Sequence, residues 1–122
     1  MEMKKLAVEL KPRNLEETIE WYTSVLGFKL KDKFEEDGKY TFARFASGDI
    51  TIEFYGGPDY FGDTQPALTG VLYFTPDDVD AMWEKVKGKA EVVKELETSK
   101  YGLREFRIKD VNGYELSFGV EV

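Results

Sequence analysis

The 122-residue chain contains no histidine and no cysteine. The first absence removes imidazole, the side chain most used for proton transfer near neutral pH and the commonest metal ligand. The second removes disulfides, thiol nucleophiles, zinc knuckles and iron–sulfur ligation. The sequence therefore carries no thiol record of its redox compartment. No apolar run approaches the roughly 20 residues that span a bilayer. The opening segment, MEMKKLAVELK, lacks the apolar h-region of a signal peptide, so a cytoplasmic protein is expected. Acidic residues outnumber basic ones by 24 to 17, for a net charge of −7. That balance weighs against nucleic acid and membrane as partners and favours a neutral or cationic ligand.

What is present suits one ordinary domain. Hydrophobic residues make up 42% of the chain, which is enough to build a core at this length. The longest turn-rich segment, GGPDYFGDTQP at 56–66, divides the sequence nearly in half. The expected organisation is a first module over about 1–57, a linker over about 58–67 and a second module over about 68–122.

The two halves share an order of elements. Leu6, Val8 and Leu10 alternate with Ala7, Glu9 and Lys11, the period of a half-buried strand. Asn14 offers a helix N-cap with Glu17 as capping-box partner, Leu15, Ile19, Tyr22 and Leu26 recur at helical spacing, and Gly27 closes the helix. Strands are expected over Phe28 to Phe34, Lys39 to Ala46 and Ile50 to Tyr55, with turns at Glu35 to Gly38 and Ser47-Gly48-Asp49. An offset of 64 residues then maps Val8 and Leu10 onto Leu72 and Phe74, Pro12 onto Pro76, and Asn14 onto Asp78. It also maps Leu15, Ile19 and Tyr22 onto Val79, Trp83 and Val86, and Phe54 onto Phe118. Gly88 ends the second helix, and strands follow near Glu91 to Glu97, Leu103 to Lys109 and Tyr114 to Val120. The pattern is a duplicated strand–helix–three-strand module.

Alternation assigns each strand residue to a face. The face packed on a helix takes Leu6, Val8, Leu10, Ile50, Ile52, Phe54, Leu72, Phe74, Phe106, Ile108, Leu116, Phe118 and Val120. The other face takes Ala7, Glu9, Thr51, Glu53, Tyr55, Val71, Tyr73, Glu105, Arg107, Glu115, Ser117 and Gly119. A fully solvated face explains the charges but not the tyrosines; a partly buried groove explains both.

Three segments in order carry a family resemblance: NLEETIEWYTSVLGF at 14–28, FTPDDVDAM at 74–82 and DVNGYELSFG at 110–119. Together they resemble the vicinal oxygen chelate superfamily, which contains glyoxalases, bleomycin-resistance proteins and extradiol dioxygenases. Val111 stands where that closing motif usually has proline. The resemblance implies an α+β fold of two βαβββ modules, with a cupped eight-stranded mixed sheet around a cleft. Metal-dependent members carry four ligands on the first and last strands of the modules, which correspond here to Ala7, Glu53, Val71 and Ser117. Of these only Glu53 is a strong metal ligand, and one carboxylate does not hold a divalent ion against water. No metal and no other cofactor is therefore expected, and no catalytic residue is assigned.

The resulting expectation is a metal-independent binding protein of the bleomycin-resistance type, sequestering a cationic or aromatic ligand. The ligand-binding residues would be Glu9, Glu53, Tyr55, Tyr73, Glu105, Arg107, Glu115 and Ser117. The carboxylates would attract positive charge, and the tyrosines would stack on rings or cover a cation. Tyr60 and Phe61 in the mid-chain loop are further aromatic candidates. Lys29, Lys31 and Lys33 alternate along one strand and read as an edge protected by charge. Trp21 and Trp83 read as packing residues. The family resemblance and the open strand edges imply a homodimer. Two other readings stay open: a glyoxalase- or dioxygenase-type enzyme with an atypical metal site, and a regulatory or interaction module with a vestigial cleft.

Overall fold

The computed structural model describes residues 1–57, 61 and 64–122. Tyr60 lies outside the described residues. The elements are β1 (Val8–Leu10), α1 (Leu15–Ser24), β2 (Lys29–Glu36), β3 (Lys39–Ser47), β4 (Ile50–Tyr55), β5 (Leu72–Phe74), α2 (Val79–Val86), β6 (Glu91–Thr98), β7 (Leu103–Lys109) and β8 (Glu115–Glu121). They form an α+β chain of two mixed four-stranded sheets, ordered β1-β4-β3-β2 and β5-β8-β7-β6. The chain divides into two compact units, Met1–Pro66 and Ala67–Val122. No described helix is long and apolar enough to cross a membrane.

In the first unit the Asn14 carboxamide accepts the Glu17 N–H at 2.9 Å, and the buried Thr18 hydroxyl donates to the Asn14 carbonyl at 2.8 Å. Together they satisfy groups that a helix start leaves without partners. At the other end the Phe28 N–H donates to the Tyr22 carbonyl at 3.0 Å, and Gly27 takes the positive φ of 76° that the chain reversal needs. Asp37 and Gly38 have φ of 52° and 77°, the double-positive pattern of a two-residue type I′ hairpin. The core gathers on Tyr22, whose ring lies 5.1 Å from Phe54, 5.3 Å from Phe45 and 5.9 Å from Phe28.

Two of the residues expected on the helix-packed face are exposed. Leu6 is 86% exposed and Ile50 is 42% exposed. The parallel β1–β4 ladder begins at Val8↔Ile52, so Leu6 precedes the strand and Ile50 sits at the end of β4, beyond that ladder. The alternation that suggested Leu6 is genuine, but a three-residue strand has no partner for it.

The second unit follows the same plan. The Asp78 carboxylate accepts the Ala81 N–H at 3.0 Å and caps α2. Trp83 packs its ring 5.1 Å from Phe106, and Phe106, Phe118 and Phe74 stack in succession at 5.1 and 5.0 Å. The connection from β7 to β8 is built on Asp110. Its buried carboxylate accepts the N–H groups of Asn112 and Tyr114 at 2.8 and 2.9 Å, and Gly113 takes φ of 90°. This is the physical content of the DVNGY motif: an acceptor side chain holds the turn that launches the last strand.

The ladders reproduce the repeat. Val8↔Ile52, Glu9↔Glu53 and Leu10↔Phe54 in the first sheet become Leu72↔Leu116, Tyr73↔Ser117 and Phe74↔Phe118 in the second, each shifted by the same 64 residues. The third strands differ by one: Arg44 pairs with Glu53, whereas Arg107 pairs with Ser117. Their offset is 63, because β3 reaches β4 through a two-residue turn and β7 reaches β8 through a longer connection.

Candidate functional site

One row of polar side chains crosses the face of each sheet turned away from its helix. In the first unit the row runs Glu9, Glu53, Arg44, Asp32 over β1, β4, β3 and β2, as successive cross-strand partners. Glu53 is only 9% exposed. A carboxylate so buried needs a compensating charge, and Arg44 supplies it: its Nε donates to Glu53 Oε2 at 2.6 Å, while its Nη1 donates to Asp32 Oδ2 at 2.6 Å. The Arg44 guanidinium also lies 5.2 Å over the Phe42 ring, and Phe42 stacks on Phe34 at 5.4 Å. Tyr55 is half-buried and pairs across the strands with Phe42. Glu9 stands at the other end of the row. Burial raises its pKa, and the hydrogen bond and charge of Glu53 raise it further, against the lowering effect of Arg44. The fold thus favours the protonated form of Glu9.

In the second unit the equivalent row is Tyr73, Ser117, Arg107, Lys94 over β5, β8, β7 and β6. Ser117, buried at 2% exposure, accepts a hydrogen bond from Arg107 Nε at 2.9 Å. Arg107 Nη1 stands 3.7 Å from the Glu115 carboxylate. The Tyr73 hydroxyl donates to Glu105 Oε2 at 2.9 Å, and Lys94 Nζ approaches the other Glu105 oxygen at 3.4 Å. The Tyr73 pKa is raised, first by burial and then by Glu105. Duplication has kept the register and reversed the charge. The first row holds three carboxylates and one guanidinium, and the second holds two cations and two hydroxyls.

Beside the second row lies a recess of about 470 Å³, lined by Tyr73, Thr75, Leu103, Gly119, Val120 and Glu121. The Tyr73 ring crosses directly over Gly119. A Cβ at Gly119 would stand 2.1 Å from the Tyr73 hydroxyl and 2.9 Å from Cζ, closer than any side chain tolerates. Gly119 is therefore the floor that lets the ring lie down.

The expected ligand-binding residues fall into two groups. Glu9, Glu53 and Tyr55 share the non-helix face of the first sheet, and Tyr73, Glu105, Arg107, Glu115 and Ser117 share that of the second. Three of the four expected carboxylate contacts are already engaged: Glu53 by Arg44, Glu105 by Lys94 and Tyr73, Glu115 by Arg107. The acidic character read from the sequence is thus largely compensated on the same face. Sequence reasoning misses Arg44 altogether and puts Gly119 on this face without giving it a role. The 64-residue offset maps Arg107 onto Ala43, which hides Arg44; a shift of 63 finds it.

The four positions implied for a metal do not make a donor set. Ala7 and Val71 bring no ligand atom and precede β1 and β5. Glu53 and Ser117 each have an arginine Nε at hydrogen-bond distance, so a fixed cation already faces both. Among the described residues no three His, Cys, Asp or Glu side chains group as metal ligands. These residues do not fit a divalent ion.

Comparison with known proteins agrees with the architecture. A model of the Glyoxalase/Bleomycin resistance protein/Dioxygenase superfamily matches residues 7–118. Among solved structures, TioX from Micromonospora sp. ML1 has a TM-score of 0.79 at 19% identity, covering 98% of this chain and 100% of that one. TnmS3 from Streptomyces sp. CB03234, described as an antibiotic binding protein, has a TM-score of 0.77 at 16% identity, covering 100% of this chain and 99% of that one. A glyoxalase-related enzyme from Clostridium phytofermentans has a TM-score of 0.78 at 18% identity, covering 100% and 98%. No curated protein matches the sequence. With the model match spanning nearly the whole chain over the duplicated fold, the protein belongs to the glyoxalase/bleomycin resistance protein/dioxygenase superfamily.

Proposed function

We propose that this protein is a metal-independent binder of a small aromatic or cationic molecule, held on the non-helix face of a sheet. The observation that carries this reading is the recess beside Tyr73, lined by apolar and polar side chains together, in a chain whose Ala7 and Val71 bring no ligand atom to the metal positions. A concave, partly apolar site with a few placed polar groups is the usual form of a small-molecule site. The chain has neither imidazole nor thiol for proton transfer or nucleophilic attack. The description of TnmS3 as an antibiotic binding protein supports small-molecule binding within the same fold. Glu9, Glu53, Tyr55, Tyr73, Glu105, Arg107, Glu115 and Ser117 are the ligand-facing residues of this proposal.

Two measurements test it. Elemental analysis of the purified protein is expected to find no stoichiometric metal; one equivalent of nickel, zinc or iron overturns the reading. A thermal-shift screen is expected to find stabilisation by aromatic cations, worth about 2.7 kcal/mol at a hundredfold excess over Kd. Stabilisation by acidic metabolites alone would reverse the charge assignment. The proposal also pairs two chains as a C2 homodimer in the cytoplasm, and sedimentation as a monomer at micromolar concentration would remove the dimer from it.

A further inference from the structure

The recess of the second unit has a chemistry that can be read residue by residue. Leu103 and Val120 give it aliphatic surface, Tyr73 lays an aromatic ring over Gly119, and Thr75 and Glu121 add polar groups. Glu121 is exposed, and its side chain makes no hydrogen bond or ion pair with any described residue. It differs in this from Glu53, Glu105 and Glu115, whose charges are answered on the sheet. The phenol of Tyr73 donates its proton to the Glu105 carboxylate, which pushes electron density back into the ring and strengthens its face toward positive charge. The ring cannot lie in this position over any residue other than glycine.

Resting on the binding function proposed above, we propose that this recess seats a planar aromatic monocation, its ring stacked on Tyr73 over Gly119 and its positive charge directed to Glu121. Three features divide the work. Gly119 sets the depth of the seat, Tyr73 supplies the stacking face, and Glu121 selects charge. A neutral ring of the same shape uses the first two and gains nothing from the third. An anionic ring is disfavoured by Glu121 and by the electron-rich face of Tyr73.

The experiment uses two probes of one shape, 1-naphthylmethylammonium and 1-naphthalenemethanol, titrated calorimetrically into the full-length protein and its variants. The wild type is expected to bind the ammonium about two- to fivefold more tightly than the alcohol, as an exposed charge pair allows. E121Q is expected to reduce that preference and leave the alcohol unchanged. Tyr73→Leu should weaken both probes by about tenfold through loss of stacking and cation–π attraction. Gly119→Ala, which displaces the ring, should do the same; E121Q, an exposed substitution, keeps the test decisive if that variant folds poorly. If the wild type binds both probes and E121Q leaves the preference intact, the seat lies elsewhere on the face, and the binding function stands without this site. If the wild type binds neither probe, the site and the aromatic-ligand reading fall together.

Discussion

Arg44 should be worth more to this protein than its half-exposed position suggests. It is the cation next to Glu53, whose side chain is 11% exposed, and it reaches Asp32 with its other arm. Arg44→Met keeps an aliphatic side chain at this position and removes the charge. The Glu53 carboxylate then stays buried beside Glu9 with no positive partner. A charge-assisted hydrogen bond is worth about 1.5–3 kcal/mol. The Asp32 arm, with both groups well exposed, adds at most about 1 kcal/mol. The expected loss is therefore about 2–3 kcal/mol, below the cost of breaking a fully buried pair because Arg44 is itself 37% exposed. For a chain of this length that is a fall in Tm of about 8–12 °C. Urea denaturation at pH 7 measures it directly. Adding Glu53→Gln to R44M should recover most of the deficit, because the orphaned charge is gone. A loss under about 0.5 kcal/mol, or a double variant no more stable than R44M, would refute the account of Arg44 as the compensating charge of a buried carboxylate.

Other consequences can be measured as readily. The Glu9 carboxyl is held above its ordinary value of 4.5 in the folded chain, so the folded state keeps its proton where the unfolded state has released it, and stability falls as pH rises through that window. E9Q should flatten this part of the stability–pH curve; an unchanged slope would place the effect on another group. Asp110→Ala strips the acceptor from the N–H groups of Asn112 and Tyr114 and should cost about 2–4 kcal/mol, with Asp110→Asn costing less than half of that, both read by urea denaturation. Gly38→Ala forces a side chain into φ of 77° at the β2–β3 turn and should cost about 1 kcal/mol, whereas a neutral result would mean that the turn relaxes.

The alternation of Ile52 and Phe54 against Glu53 was enough to separate core from face, because a strand repeats every two residues and a helix covers one side. The caps Asn14 and Asp78 were equally visible, since a short oxygen-bearing side chain before an apolar helical period has one common use. Strand ends were less visible. Leu6 fits the alternation and lies outside β1, because pairing needs a partner strand and local pattern does not report one. Arg44 was hidden for a related reason: the turn between β3 and β4 and the connection between β7 and β8 differ in length, and a repeat matched at one fixed offset loses register across that difference.

The sequence by itself determined the duplicated α+β plan, the two helices, the polar face of each sheet and the absence of imidazole and thiol chemistry. These follow from periodicity, capping and composition, which are local properties of the chain. Tertiary structure decided which charges on those faces are spent. Three of the four glutamates expected to greet a cation are engaged by Arg44, Lys94 and Arg107 across neighbouring strands. It also decided that Gly119, placed on the polar face by alternation alone, lets Tyr73 lie flat. Both depend on the cross-strand register, which brings together residues eight to 46 positions apart, and no local pattern records such a meeting.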